Sequence, residues 1–255
     1  MKREFKNFSL SSIQNEHKKN MVDLITSMNS RHTTWNVFSD FLTIAACSLS
    51  NSCDLSKREA REEIYMTTIK KYSNQELDTM CKIFAELVLA LEEGGLNDIL
   101  GDLFMSLDLG NNWTGQFFTP MHLCDAIGDM TAGSITLKEV QRRGYISVCE
   151  PCSGSGALVI GFAKALLKRE INYQEYMLVT AIDIDIRAVY MSYIQFSLLG
   201  IPAIIYHGNS LTNEIYDVWY TPMYFLNGFA FRKQKNPIDF NNVLSRMKKR
   251  RCSTA

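Results

Sequence analysis

Apolar residues recur along the first 110 positions at helical spacing. In Asn36 to Ser48 they fall at Val37, Phe38, Phe41, Leu42, Ile44 and Ala45, close to a 3.6-residue period. Leu55 to Tyr72 is more charged, and its sparse apolar positions Ile64, Met66 and Ile69 predict a helix with one exposed face. Asn74 is a cap candidate for the next helix, which Gly94-Gly95 ends. That helix carries a stripe of Leu77, Met80, Cys81, Phe84, Leu87, Val88 and Leu91, read as core. After Trp113 the pattern changes. Tyr145 to Glu150, Met177 to Asp183 and Ala203 to His207 are short β-prone runs, and helical segments to about Arg169 and from Arg187 to Leu199 separate them. Alternation of this kind predicts an α/β fold with a parallel sheet, whose ligands bind beyond the carboxyl ends of the strands. IYDVWY, ending at Tyr220, reads as a fourth strand.

Composition narrows the class. With 255 residues, 46% of them hydrophobic, and no net charge, the chain has material for a buried core and little tendency to disorder. No apolar run approaches the roughly 18 residues of a membrane span, and MKREFKNFSL has no signal-peptide core. Seven scattered cysteines without an export signal point to reduced thiols and a cytoplasmic location. Cys149 and Cys152 have redox-motif spacing, but the glycines that follow and a second-strand acid are explained only by a cofactor loop, and the four histidines are isolated, so neither thioredoxin-type chemistry nor a metal site is expected. The neutral total hides an uneven distribution, because residues 231 to 255 carry eight basic side chains against Asp239 alone. Such a tail either contacts phosphate backbones or is a solvated end.

The residues with chemistry lie where the predicted strands end. In Glu150-Pro151-Cys152-Ser153-Gly154-Ser155-Gly156, the glycines admit close backbone approach and the following helix start offers amide donors. Glu150 repels a pyrophosphate but pairs with a cationic amino group, and no P-loop lysine is present. Asp183, closing the second strand, is placed to accept from two ribose hydroxyls, while Asp185 is placed to cap the next helix. A glycine loop with a second-strand acid points to an adenosine-type ligand bearing an amino-acid tail, a description that S-adenosylmethionine fits.

GQFFTP (Gly115 to Pro120), CEPCSGSG (Cys149 to Gly156), AIDID and HGNSL, in this order, resemble the adenine-N6 DNA methyltransferases. They are most similar to the modification subunits of type I restriction-modification systems. The preceding LNDILGDLFMSLDLGNNWTG also resembles the helical lead-in of those subunits. The resemblance covers about half the chain. It implies a Rossmann-like S-adenosylmethionine-dependent methyltransferase fold, a truncated parallel sheet behind an N-terminal helical region. Boundaries are expected at 1–112 for the helical region, 113–230 for the methyltransferase-like domain and 231–255 for the basic tail. It implies a cofactor site of Phe117, Phe118 and Thr119 around the methionine part. Glu150, Pro151, Ser153, Gly154 and Gly156 supply the loop, Asp183 the ribose acceptor and Asn209 a contact near the adenine. DNA is the implied partner, with other restriction-modification subunits and without a membrane.

The family's catalytic motif, Asn-Pro-Pro-Tyr or Phe, follows the fourth strand. Its asparagine side chain and a proline carbonyl accept from the flipped adenine's amino group, and its aromatic stacks on the base. Here the corresponding segment is Thr221-Pro222-Met223-Tyr224, which keeps a proline and the aromatic but replaces the amide with a hydroxyl. Thr221, Pro222 and Tyr224 are the implied catalytic residues. The family sheet has seven strands, so the last three and a target-recognition domain are expected to be missing. Two functions follow: an S-adenosylmethionine-dependent DNA adenine-N6 methyltransferase-type protein, or a catalytically inactive cofactor- or DNA-binding module acting with partner subunits.

Overall fold

The computed structural model describes residues 10–109 and 118–231, with side chains from residue 16 onward. Phe117 and the basic tail beyond residue 231 lie outside the described residues.

Five helices come first: α1 (Leu10–Ser27), α2 (Thr34–Asn51), α3 (Arg58–Ile69), α4 (Asn74–Gly94) and α5 (Ile99–Ser106). The cap of α4 is Ser73 rather than Asn74. Its hydroxyl accepts from the Glu76 amide and the Glu76 carboxylate accepts from the Ser73 amide, a capping box that satisfies two otherwise orphaned donors. The apolar stripe of α4 divides. Met80, Leu87 and Leu91 are buried, whereas Leu77, Met80, Cys81 and Phe84 also border an apolar groove shared with α2 and α3.

The α/β part follows with α6 (Met121–Ala132), α7 (Leu137–Arg143), β1 (Ile146–Glu150), α8 (Ala157–Leu167), α9 (Tyr173–Tyr176), β2 (Met177–Asp183), α10 (Ile186–Leu198), β3 (Ala203–Asn209), β4 (Glu214–Tyr220) and α11 (Pro222–Leu226). The sheet order is β1-β2-β3-β4. β1 to β3 are parallel, in a register that sets Glu150 beside Ala181 and Asp183 beside His207. β2 is buried along nearly its whole length, as expected for a central strand covered on both faces. α8 packs on α6, where Gly128 and Gly161 let the two backbones approach closely, and α10 packs on α2.

The fourth strand corrects the parallel expectation. β4 is antiparallel to β3, with Asn209 opposite Glu214 and Ile204 opposite Tyr220. A parallel neighbour needs a crossover of a dozen or more residues, and only residues 210–213 separate the two strands. Asn209 builds the turn: its side-chain oxygen accepts from the amides of Leu211 and Thr212, and Asn213 takes a left-handed conformation at φ 65°.

One continuous core joins both parts. Phe104 links them through ring contacts with Phe38 at 5.9 Å and Phe118 at 5.2 Å. A polar clasp adds to this. Arg61, 2% exposed, pairs with Asp54 at 3.1 Å, donates to the Val218 carbonyl at 2.7 Å and lies 3.8 Å over the Trp219 ring. No described helix is long and apolar enough to cross a membrane.

Candidate functional site

The loop between β1 and α8 is a tight turn pinned to β2. The Ser153 amide donates to the Ile182 carbonyl at 2.8 Å, and the Gly156 amide donates to the Ser153 carbonyl at 2.8 Å. Gly154 and Gly156 have φ of 54° and 99°, in the left-handed region that side chains disfavour. Their missing Cβ atoms serve packing. At Gly154 the space is taken by the Phe118 ring, 3.1 Å from where a Cβ would stand, and at Gly156 by the Phe196 ring.

Asp183 ends β2 and closes the loop. Its Oδ2 accepts from the Gly154 amide at 2.8 Å and its Oδ1 accepts from the Asp185 amide at 2.9 Å. The carboxylate keeps acceptor capacity beyond these bonds for a ligand hydroxyl. Asp185 caps α10 by accepting from the Arg187 amide, so the two acids divide the roles as the sequence suggests.

These residues frame a cleft of about 160 Å³, lined by Phe118 and Thr119, by Cys152 to Ser155, by Ala157 and Leu158, and by Asp183. The buried Ser153 hydroxyl has no hydrogen-bond partner among the described residues. A buried polar atom left in this state costs free energy, and a polar ligand in the cleft would satisfy it. The cleft therefore fits a group with an apolar part and several hydrogen-bonding functions.

Glu150 stands next to the cleft, in a groove along β1 with Cys149 and Leu158, and accepts from the Cys152 amide at 3.2 Å. Burial raises the Glu150 carboxyl above its ordinary range, and the Asp183 charge adds to the rise against the Cys152 bond. Burial also raises Asp183, opposed by the Asp185 and Gly154 amides. Pro151 and Asn209 do not line the cleft; Asn209 is occupied in the β3–β4 turn.

Sequence reasoning passed over Cys152, Ser155, Ala157 and Leu158 as lining residues, although they sit within or just after the glycine loop. It also passed over Asp98 and Gln195 beneath it. The available signal for Asp98 was its place at the start of a short helix, three residues before Gly101.

The implied catalytic trio is not brought to this cleft. β4 runs antiparallel, so Thr221 emerges beside Ala203 at the start of β3, four residues and about 13 Å along the strand from the level of Asp183. Thr221 is fully buried; its hydroxyl accepts from the Ala203 amide at 2.8 Å and donates to the Ile201 carbonyl at 2.8 Å. Pro222 opens α11, which crosses the amino-terminal edge of the parallel strands. Along that path Asn227 donates to the Gln174 carbonyl before β2, and Phe229 makes an edge contact with Tyr145 before β1. Tyr224 stacks on Tyr220 at 5.0 Å. The trio thus builds the end of the sheet opposite the glycine loop, for the reason that gave β4 its direction.

Solved structures of similar shape include a putative class I S-adenosylmethionine-dependent methyltransferase from Listeria monocytogenes. It is 10% identical at a TM-score of 0.47, over 87% of this chain and 70% of that one. Another is the type I restriction-modification methyltransferase subunit from Streptococcus thermophilus, 11% identical at a TM-score of 0.39, over 76% of this chain and 57% of that one. No protein of curated function matches the chain. The family model described as N-6 DNA Methylase matches residues 97–227, half of the chain. That span runs from the residue before Asp98 through the glycine loop and Asp183 to the end of α11, and the chain belongs to the N-6 DNA methylase family.

Proposed function

We propose that the chain binds S-adenosylmethionine in the cleft beside the glycine loop and serves adenine-N6 methylation of DNA in a restriction-modification-like system. The observation that carries this reading is the Asp183–Gly154 closure beside the Ser153 hydroxyl, which has no partner among the described residues. Asp183 would hold the ribose hydroxyls through its remaining lone pairs. Phe118, Thr119 and Ser153 would meet the methionine part, and Glu150 stands close enough to the loop to attract its amino group. The bound cofactor would supply an activated methyl group; the protein's share is to orient it and to exclude water from one side.

On this reading the target adenine is handled by residues other than Thr221, Pro222 and Tyr224, which stand at the far end of the sheet. That placement supports a second reading, in which the chain is a cofactor-holding subunit and a partner supplies the acceptors for the base. The two are separated by methyl transfer from labelled cofactor to mixed-sequence DNA, with the protein alone and with candidate partner subunits. Transfer by the isolated protein supports the first reading, and transfer only with a partner supports the second. Titration calorimetry with S-adenosylmethionine and its demethylated product tests the shared premise; no heat with either would overturn both.

A further inference from the structure

Asp98 is a carboxyl buried to 5% exposure, and no described basic side chain forms an ion pair with it. Such burial is costly unless hydrogen bonds compensate it, and here there are three. Oδ1 accepts from the Gly101 amide at 2.9 Å and from Gln195 Nε2 at 2.9 Å. Oδ2 accepts from the Ser155 hydroxyl at 2.5 Å. Only the first of these is the ordinary work of a helix cap. The other two reach the glycine loop and α10.

Gln195, fully buried, completes the connection. Its second Nε2 hydrogen goes to the Ser155 carbonyl at 2.8 Å, and its Oε1 accepts from the Leu100 amide at 3.0 Å. Every hydrogen-bonding function of that amide is engaged apart from one lone pair. Gly101 makes room for the arrangement, since a Cβ there would overlap both the Asp98 carboxylate and the Ser155 hydroxyl. Three elements are thereby fixed to one another: α5, the loop after β1 and the helix after β2.

We infer that Asp98 is a positioning residue for the cofactor loop, acting with Gln195 to hold Ser155 so that Ser153 and Gly154 keep the conformation that receives the ligand. The inference rests on the cofactor reading above. Ser155 lies between the two left-handed glycines, so freeing it loosens the whole turn that carries the Ser153 hydroxyl and the Gly154 amide. α5 thus acts on the cofactor without touching it.

The test compares the full-length wild type with Asp98→Ala, Asp98→Asn, Ser155→Ala and Gln195→Ala, below each variant's melting transition. Two quantities are read: affinity for the demethylated cofactor by calorimetry, and amide hydrogen exchange of residues 152–156 without ligand. Asp98→Ala is expected to weaken binding on the order of tenfold and to speed loop exchange, and Asp98→Asn, which keeps Oδ1 as an acceptor, stays within about threefold of wild type. A merely structural residue would lower the melting temperature while leaving the affinity of the folded protein in place. Equal weakening in Asn and Ala, or none in either, overturns the inference. If Asp98→Ala fails to fold, Ser155→Ala and Gln195→Ala are judged by the same criteria. If the wild type binds no cofactor, the cofactor reading fails separately. Loop exchange then decides: faster exchange in the variants supports the positioning role, and unchanged exchange overturns it.

Discussion

The hydroxyl of Thr221 bridges the Ala203 amide and the Ile201 carbonyl, each at 2.8 Å, and so fastens the end of β4 to the start of β3. The residue expected in place of a catalytic asparagine is here a fully buried staple. Thr221→Val should cost about 1–3 kcal/mol by leaving the Ala203 amide unsatisfied, while cofactor affinity stays at the wild-type value. Urea denaturation beside calorimetry checks both halves. A variant of unchanged stability and lost cofactor binding would return Thr221 to the site.

Asp183 holds the loop and is the proposed ribose acceptor, so its removal acts twice. Asp183→Ala is expected to weaken S-adenosylmethionine binding by about 1.5–3 kcal/mol, the range for bonds to a charged acceptor. Asp183→Asn should recover little, because an amide turned to accept from Gly154 presents donors elsewhere around it. Calorimetric titration of the two variants supplies the comparison.

Arg61 couples the helical region to β4 by its bonds to Asp54 and the Val218 carbonyl and its stacking on Trp219. Arg61→Met should destabilise the protein by about 3–5 kcal/mol, chiefly because Asp54 is left buried without its cation. Adding Asp54→Asn to Arg61→Met should restore part of the loss. Denaturation of the single and double variants measures that coupling.

Burial raises the Asp98 carboxyl above its ordinary range against the bonds from Ser155, Gln195 and Gly101. A carboxyl whose pKa is raised by folding binds its proton more tightly in the native state. Its contribution is therefore complete below the unfolded value of 3.8 and is lost as pH rises through the folded pKa. Asp98→Asn removes this titration, so the difference in stability between wild type and variant should move against the wild type as pH rises through that window. Glu150 and Asp183 are raised as well but are common to both proteins and cancel. Thermal unfolding of the pair across a pH series reads the difference.

The tail from residue 231 carries a net charge of +7, and any DNA affinity it provides is electrostatic. Deleting residues 246–255 should flatten the fall of DNA affinity with salt. An unchanged slope would make the segment a solvated end.

Local pattern was enough to read the elements that place the candidate cleft. Helical periodicity marked α2 and α4, β-prone runs marked β1 to β3, and the glycine loop and Asp183 fell at strand ends, because period, capping and glycine conformation are properties of neighbouring residues. The spacing of Asn209 and Asn213 also held the signal for a hairpin, which a motif comparison passes over. Tertiary structure alone decided the rest. The direction of β4 follows from how few residues connect it to β3, and that direction carries Thr221, Pro222 and Tyr224 to the opposite end of the sheet. The strut beneath the loop joins residues 98, 155 and 195, whose separation along the chain leaves no local pattern. A buried carboxyl acquires its partners, and its raised affinity for a proton, only when distant segments close around it.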